Sequence, residues 1–460
     1  MIFIANASAV LQKVLKKIAP SLAKQKLVSD LEKKLLQISK SSGANPLICG
    51  SVAKGTWLAD KNELDLFLLF PETIERKEFE QKGLALAKKI ASALKAKWEM
   101  EYAEHPYIHA FVKFGKETFD LDIVPCYDAP AEKIKSAVDR TPHHVKFILE
   151  NISTEQKDQV RLLKKFLAAA GCYGADLRTS GFSGYLSELL ILKYGNFQKV
   201  LEAAKDWGAG IAIDLKNSNI SHNDIFKKFH TPLIFIDPVD SNRNVGAAVS
   251  AESFFKFVFA AAAFFSKPTD KFFFPAQQKP LGSVEIKKQI KSRVSNFCAI
   301  KFSRPKIHGD IIWTQLKKLL KTFEQNFQKA GFKLLKSDSY FDEKDCALIF
   351  EFESWLVSKT TKHAGPSIYA HKPSEGFLKH YAGEKISIEG ESWFVETARE
   401  FTAAESFLKN FLKQSEKNLL LAGVPSKLAT PMKKAKLICG ENSLSILKTK
   451  DFRIFLRKYF

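Results

Sequence analysis

Cysteine is scarce and scattered in this chain: Cys49, Cys126, Cys172, Cys298, Cys346 and Cys439 form no C-x-x-C pair and keep no metal-binding spacing from a histidine. That argues against a zinc module and for reduced thiols in a cytoplasmic compartment. Long apolar runs are missing too. The longest, Phe257 to Phe265, has nine residues, far short of the ~20 a membrane-spanning helix needs, so no membrane association is expected. The opening "MIFIANASAV" has no basic region ahead of its apolar residues and does not read as a signal peptide. There is no fixed-period repeat and no G-x-x-x-x-G-K-[ST] loop. Gly208-x-Gly210 lacks a preceding strand and a third glycine, so no dinucleotide-binding fold follows from it.

What is abundant is positive charge. The chain of 460 residues carries 71 Lys and Arg against 50 Asp and Glu, a net charge of +21. Such a field attracts polyanions and speeds their encounter, which points to nucleic acid. The last sixty residues, Phe401 to Phe460, hold twelve basic residues against four acids. Length predicts about three domains at ~100–200 residues each, and a hydrophobic content of 45% is enough to give them cores.

Helical spacing of Leu11, Val14, Leu15 and Ile18 is broken by Pro20, and a second helical pattern follows to about Ser39. "PLICG" reads as a strand, Glu63 to Phe70 as another ended by Pro71, Lys77 to Ala96 as a helix, and "YIHAFVKFG" and "TFDLDIVPCY" as further strands. Residues 1–142 therefore read as an α/β unit. From 143 to 265 the pattern is mainly helical, interrupted by the strand "PLIFIDPVD". Three prolines mark 266–282 as a linker. Residues 283–460 read as α+β with a helical end.

The chemistry concentrates in "GSVAKGTWLADKNELDLFLLF", Gly50 to Phe70. On a strand, Glu63 and Asp65 share one face while Leu64, Leu66 and Leu68 cover the other. Two carboxylates aimed at one place suit hard divalent cations, and nucleotidyl transfer uses two such ions about 3.5–4 Å apart. A third acid must come from a neighbouring strand. "TFDLDIVPCY" offers Asp120 and Asp122 on one face, and spacing does not choose between them. Ahead of the acids, Gly50 and Ser51 are small enough for backbone N–H groups to approach phosphate, and Lys54 adds charge. By itself E-x-D describes any solvated acidic strand edge; following a G-S-x-x-K-G-T turn it is specific. His105 and His109 straddle Pro106 in strand-like text, so they do not read as a helical metal pair.

With these motifs the chain resembles the DNA polymerase beta superfamily of nucleotidyltransferases, and within it the archaeal, class I CCA-adding enzymes. "FLLFPE", "YAEHPYIH", "DIVPCY", "IKSAVDRTPHH", "VRLLKKFL", "GCYGAD", "GFSGYLSELL" and "DPVDSNRNVGAA" occur in the family's order. The likeness is close over about the first 260 residues and looser beyond. It implies a head with a mixed sheet (1–142), a helical neck completing the nucleotide pocket (143–265), and an α+β body and tail (283–460) that hold tRNA.

The resemblance also assigns residues. It selects Asp122 as the third acid, two positions ahead of V-P-C-Y, and implies that Glu63, Asp65 and Asp122 hold magnesium. Ser51, Lys54, Lys164 and Tyr173 then contact the triphosphate, although many relatives carry Arg where this chain has Lys54, which lacks arginine's bidentate fork. His144 matches a nucleotide-binding histidine, with His143 a bystander. Arg243 matches the arginine that reads the edge of the incoming base. The implied activity is template-independent addition of C, C and A to the 3′ end of immature tRNA from CTP and ATP. Alternatives are a poly(A) polymerase or other template-independent RNA nucleotidyltransferase, and a non-catalytic RNA-binding relative. A homodimer stays open.

Overall fold

Alternating leucines on one strand can bury only if something apolar covers them, and two helices do so here. The computed structural model describes residues 2–102, 104–216 and 228–460, in two compact units, Met1–Ala276 and Gln277–Phe460. In the first, helices α1 (Ile2–Ile18) and α2 (Leu22–Ser41) precede β1 (Pro46–Cys49), the short helix α3 (Gly50–Ala53), β2 (Glu63–Pro71) and α4 (Arg76–Ala93). Three strands follow, β3 (Lys97–Tyr102), β4 (Pro106–Phe114) and β5 (Glu117–Asp128). The sheet order is β1-β2-β5-β4-β3. Only β2 and β5 run parallel; the other pairs are antiparallel, so the sheet is mixed.

One face of this sheet is apolar throughout. Leu64, Leu66 and Leu68 of β2 pack with Leu121 and Ile123 of β5 against Val28, Leu31 and Leu35 of α2 and Ala87 and Ile90 of α4. Each such side chain is worth about 1.5–3 kcal/mol when fully buried, which pins the register of both strands. A one-residue slip would turn the leucines outward and the acids inward. The opposite face stays open at the β2 N-terminal end and closes only further along, where Phe67, Cys49 and Cys126 meet Val145.

The rest of the first unit is helical: α5 (Arg140–Asn151), α6 (Thr154–Ala169), α7 (Gly184–Tyr194) and α8 (Phe197–Ala204), then the strands β6 (Ile211–Ile213) and β7 (Leu233–Phe235), and α9 (Ala251–Ser266). Ser153 and Gln156 form a reciprocal capping box on α6, and Ser183 caps α7 by accepting from Leu186 N. Their shared core is phenylalanine-rich, with Phe166, Phe197, Phe257, Phe264 and Phe273 fully or almost fully buried. The many phenylalanines of the sequence thus serve packing.

The second unit contains α10 (Ser283–Arg293), β8 (Asn296–Ser303), α11 (Gly309–Ala330), β9 (Lys333–Phe341), β10 (Asp345–Ser354), β11 (Thr360–Ser367), α12 (His371–His380), β12 (Lys385–Glu389) and β13 (Ser392–Ala398). It ends with α13 (Ala404–Lys413), α14 (Glu416–Leu421), α15 (Ser426–Met432), β14 (Lys436–Cys439) and α16 (Lys450–Tyr459). One sheet runs β14-β8-β10-β9 and a separate one β11-β13-β12. The basic C-terminus is packed, not loose: Phe452, Leu456 and Tyr459 of α16 are buried with Tyr340 and Ile349.

Three expectations need correction. Strand β3, just beyond the expected helix Lys77 to Ala96, was not expected at all, because its apolar residues Trp98, Met100 and Tyr102 lie 40%, 58% and 70% exposed on an edge and leave no buried stripe to read. The β11-β13-β12 sheet was folded into a helical end; most residues of β11 and β12 are exposed, so they lack alternation. Finally, Cys298 and Cys439, read as reduced thiols, form a disulfide. They are 141 residues apart, and the antiparallel pairing of β8 with β14 sets them opposite each other. Local spacing carries no trace of that. The remaining four cysteines are free and buried.

Candidate active site

The parallel pairing of β2 with β5 sets Asp65 directly across from Asp122, and Glu63 across from Asp120. Register partners in adjacent strands point to the same face, so the acids share the open side of the sheet. Their mutual influence is visible in their ionisation. Burial, and then the neighbouring Asp122 carboxylate, push the Asp65 carboxyl up to about 6, against the pull of Lys54. Asp122 is also raised, first by burial, although a hydrogen bond from His109 opposes the rise. His109 stands opposite Asp122 on β4, with Nδ1 2.6 Å from Asp122 Oδ1. Burial would lower the His109 imidazole, but that bond raises it overall.

Glu63 is turned outward and pairs with Lys61 at 2.9 Å. Among the described residues no group of three or more His, Cys, Asp or Glu side chains is drawn together tightly enough to hold a metal ion. The donor chemistry nonetheless fits a hard divalent cation. Asp65 and Asp122 are side by side on rigid strands and each raises the cost of the other's charge, a cost that a cation removes.

The turn ahead of the acids is fixed by contact with them. Gly50 has φ +68°, and a Cβ placed on it would lie 1.7 Å from Asp65 Oδ2. Ser51 follows, half-buried on α3. Lys54 is not free at the surface: it is buried, and its Nζ donates to Glu188 Oε2 at 2.5 Å. Glu188 Oε1 accepts from Thr56 Oγ1 at 2.6 Å and from Lys164 Nζ at 3.2 Å. Burial would raise the Glu188 carboxyl, but Lys164 and Lys54 hold it below the ordinary value. Two ammonium groups therefore share one fully buried carboxylate. Arg161 ties the same turn to α6 by donating to the carbonyls of Gly55 at 2.5 Å and Trp57 at 2.9 Å.

Tyr173 belongs to this cluster. A Cβ on Gly184 would lie 3.2 Å from the Tyr173 hydroxyl and 3.7 Å from Lys164 Nζ, so the two side chains converge on one spot. Burial raises the Tyr173 phenol, helped by the charges of Glu188 and Glu63. A second network surrounds Asp237. Its Oδ2 meets His144 Nε2 at 2.9 Å and Arg243 Nη1 at 2.7 Å, and its Oδ1 accepts from the Tyr185 hydroxyl at 3.2 Å. Burial opposes ionisation of Asp237, yet the bonds from His144, Val239 N and Arg243 hold its carboxyl down at about 2. Tyr185 joins the networks: its ring stacks on His144 at 3.9 Å and faces Lys54 Nζ at 5.9 Å.

Asp65 with Asp122, Lys54 with Lys164 and Tyr173, and His144 with Arg243 thus form three groups in the first unit, with Ser51 on the turn and Glu63 directed to Lys61. His143 stands apart, bonded to the Ala129 carbonyl at 2.8 Å. The structure adds Glu188, Asp237, Tyr185 and Arg161, which the motifs did not flag, and His109, which the sequence reading set aside with His105. An acid inside the otherwise apolar "GYLSELLILKYG" was the available signal for Glu188. Asp237, just after "PLIFI", looked like an ordinary strand end.

A mixed sheet with acids on register partners, a glycine-serine turn against them and lysines beside the turn define a nucleotidyltransferase. Residues 158–274 match the family model described as tRNA nucleotidyltransferase, second domain, and residues 293–419 the model of the CCA-adding enzyme, C-terminal domain. The CCA-adding enzyme of Methanothermobacter thermautotrophicus is 34% identical over 412 residues, 88% of each chain, and that of Methanosarcina acetivorans 32% identical over 459 residues, 97% of each. The chain belongs to the CCA-adding enzyme family. Among solved structures, a cytoplasmic RNA terminal U-transferase superposes with a TM-score of 0.46 at 14% identity, covering 58% of this chain and 98% of the other.

Proposed function

We propose that this protein completes the 3′ end of immature tRNA, adding C, C and A from CTP and ATP without a nucleic-acid template. The observation that carries the reading is the Asp65–Asp122 register pair beside the Gly50–Ser51 turn, in a chain whose relatives, matched along nearly their whole length, are CCA-adding enzymes.

Glu63, Asp65 and Asp122 are the residues we assign to hold magnesium. Ions held by these carboxylates would supply Lewis-acid activation of the attacking oxygen and offset charge on the leaving pyrophosphate. The protein's own part is positioning. Lys54 and Lys164, sharing only one carboxylate, keep a positive surplus beside the turn for the triphosphate, with Ser51 and the Tyr173 hydroxyl as hydrogen-bonding partners. Asp237 holds the planar Arg243 guanidinium and orients His144, and we assign those two to the incoming nucleotide. The tRNA 3′ hydroxyl then attacks the α-phosphate in line, and pyrophosphate leaves.

Residues 1–142 would form the catalytic head, 143–265 the nucleotide-pocket neck and 283–460 the tRNA-holding body and tail; the two family-model spans support this division. The net charge of +21 supports tRNA as the partner. Duplex RNA is held mainly through phosphates and 2′-hydroxyls, which suits a lysine-rich surface. No helix among the described residues is long and apolar enough to cross a membrane, and we assign the activity to the cytoplasm. The test is incubation with tRNA lacking its CCA end, labelled CTP and ATP, and magnesium. Addition of three nucleotides in the order C, C, A supports the reading. A long homopolymer tail would make the protein a polymerase, and no incorporation would remove the activity.

A further inference from the structure

Asp120 and Asp122 lie on the same face of β5, and each has a carboxylate of β2 as its register partner: Glu63 for Asp120, Asp65 for Asp122. What tells the two acids apart is the strand on their other side. Antiparallel pairing of β4 with β5 sets Phe111 opposite Asp120 but His109 opposite Asp122. Directly opposed residues of an antiparallel pair have Cβ atoms about 4.5–5.5 Å apart, so β4 offers Asp120 a hydrocarbon ring and Asp122 a hydrogen-bond donor. Asp65, Asp122 and His109 thus form one row across three neighbouring strands.

The contact in this row is made. His109 Nδ1 lies 2.6 Å from Asp122 Oδ1, and an ionised carboxylate can only accept, so the ring donates. Phe111 packs against the imidazole edge-on, with ring centres 4.9 Å apart, and restricts how the ring can turn. The side chains of His109 and Asp122 are 21% and 35% exposed, so the bond sits on the open face of the sheet and not in its core. Asp122 Oδ2 has no hydrogen-bond partner among the described residues. At the other end of the row Asp65 is restrained by different means: its Oδ2 is backed so closely by Gly50 that a Cβ there would lie 1.7 Å away. Each acid of the pair is therefore held from its outer flank.

We propose that His109 is a positioning residue for the metal site: its Nδ1–H fixes Asp122 Oδ1 and leaves Oδ2 as the oxygen available to a divalent cation shared with Asp65. The proposal rests on the assignment of Asp65 and Asp122 to magnesium made above. A carboxylate that swings freely about its Cβ–Cγ bond gives up that freedom when it takes an ion, and one already held by a hydrogen bond gives up less. The bond also gives Asp122 an orientation for which Asp120, facing Phe111, has no donor on β4. Strand alternation treats the two acids alike; the neighbouring strand does not.

Two measurements on the full chain test it: manganese affinity without nucleotide or tRNA, read from the paramagnetic resonance of the unbound ion, and steady-state tRNA extension in magnesium. His109→Ala should weaken manganese binding about 10–100-fold, as loss of a ligand's supporting hydrogen bond does, and lower kcat while the KM for CTP stays within about twofold. His109→Asn, whose amide N–H is bonded to Cγ as imidazole Nδ1 is, should recover most of both losses. Should His109→Ala melt far below wild type in EDTA, His109→Leu takes its place, keeping apolar volume on the strand and removing the donor. Equal manganese affinity in wild type and the donorless variant, or a loss that His109→Asn does not recover, overturns the proposal. Extension by the wild type is scored separately. No addition, with the manganese pattern intact, removes the proposed reaction and leaves the role of His109 standing; CCA addition with that pattern absent does the reverse.

Discussion

Gly50 and Asp65 are packed so closely that a single added carbon at Gly50 would sit 1.7 Å from the Asp65 carboxylate. The Gly50–Ser51 turn and the acid strand are therefore one rigid object. Gly50→Ala must displace Asp65 and also strain a backbone at φ +68°. Such strain costs about 1–3 kcal/mol. We expect tRNA extension to fall at least a hundredfold while tRNA binding, measured by filter retention, stays within about twofold. Near wild-type extension by this variant would show that the contact does not matter.

Asp65 is held at a cost to stability set by burial and by the Asp122 carboxylate. Its carboxyl titrates near 6 in the folded chain against the ordinary 3.8. Between those values the folded state binds the extra proton, so metal-free stability falls as pH rises from about 4 to 6 and then stays low. At 1.36 kcal/mol per unit the penalty at neutral pH is up to about 3 kcal/mol. Asp65→Asn, inactive in extension, should melt higher than wild type in EDTA above pH 7 and equal to it below pH 4. A lower melting temperature at pH 7 would contradict the assigned environment.

How much of this was legible in advance follows from chemistry. The alternation in Glu63-Leu64-Asp65-Leu66 reveals its two faces because the pleat has a period of two. Asp120 and Asp122 obey the same alternation, so pattern alone could not separate them; only pairing sets Asp122 opposite Asp65. Glu188 and Asp237 were invisible as functional residues because their roles depend on partners more than fifty residues away in sequence, Lys54 and His144 among them. The Cys298–Cys439 disulfide and the exposed β11-β13-β12 sheet escaped for the same reason, having long-range or solvent-facing causes.

Glu188 is the one carboxylate that pairs with both Lys54 and Lys164 in a buried place. Glu188→Ala leaves two ammonium groups without it, and removing one partner of a buried pair costs about 3–5 kcal/mol. Urea unfolding should show that loss. A change under about 1 kcal/mol would mean the network carries no stability.

Asp237 ties Arg243 and His144 together, and its carboxyl is held at about 2. A depressed carboxylate contributes stability above its unfolded value near 3.8 that disappears as pH falls through about 2. Asp237→Asn should therefore lose about 2 kcal/mol at pH 6, with the gap to wild type closing toward pH 2. The KM for CTP and ATP should rise about tenfold with the KM for tRNA unchanged. An equal rise in both would place Asp237 outside the nucleotide pocket.

The most direct test of the central claim is extension of a tRNA lacking its CCA end, read by sequencing the 3′ termini, with the wild-type chain and with Asp122→Asn. The wild type should add C, C and A and stop, and the variant should bind the same tRNA and add nothing. Addition of CCA by Asp122→Asn at the wild-type rate, or no defined addition by the wild type, would contradict it.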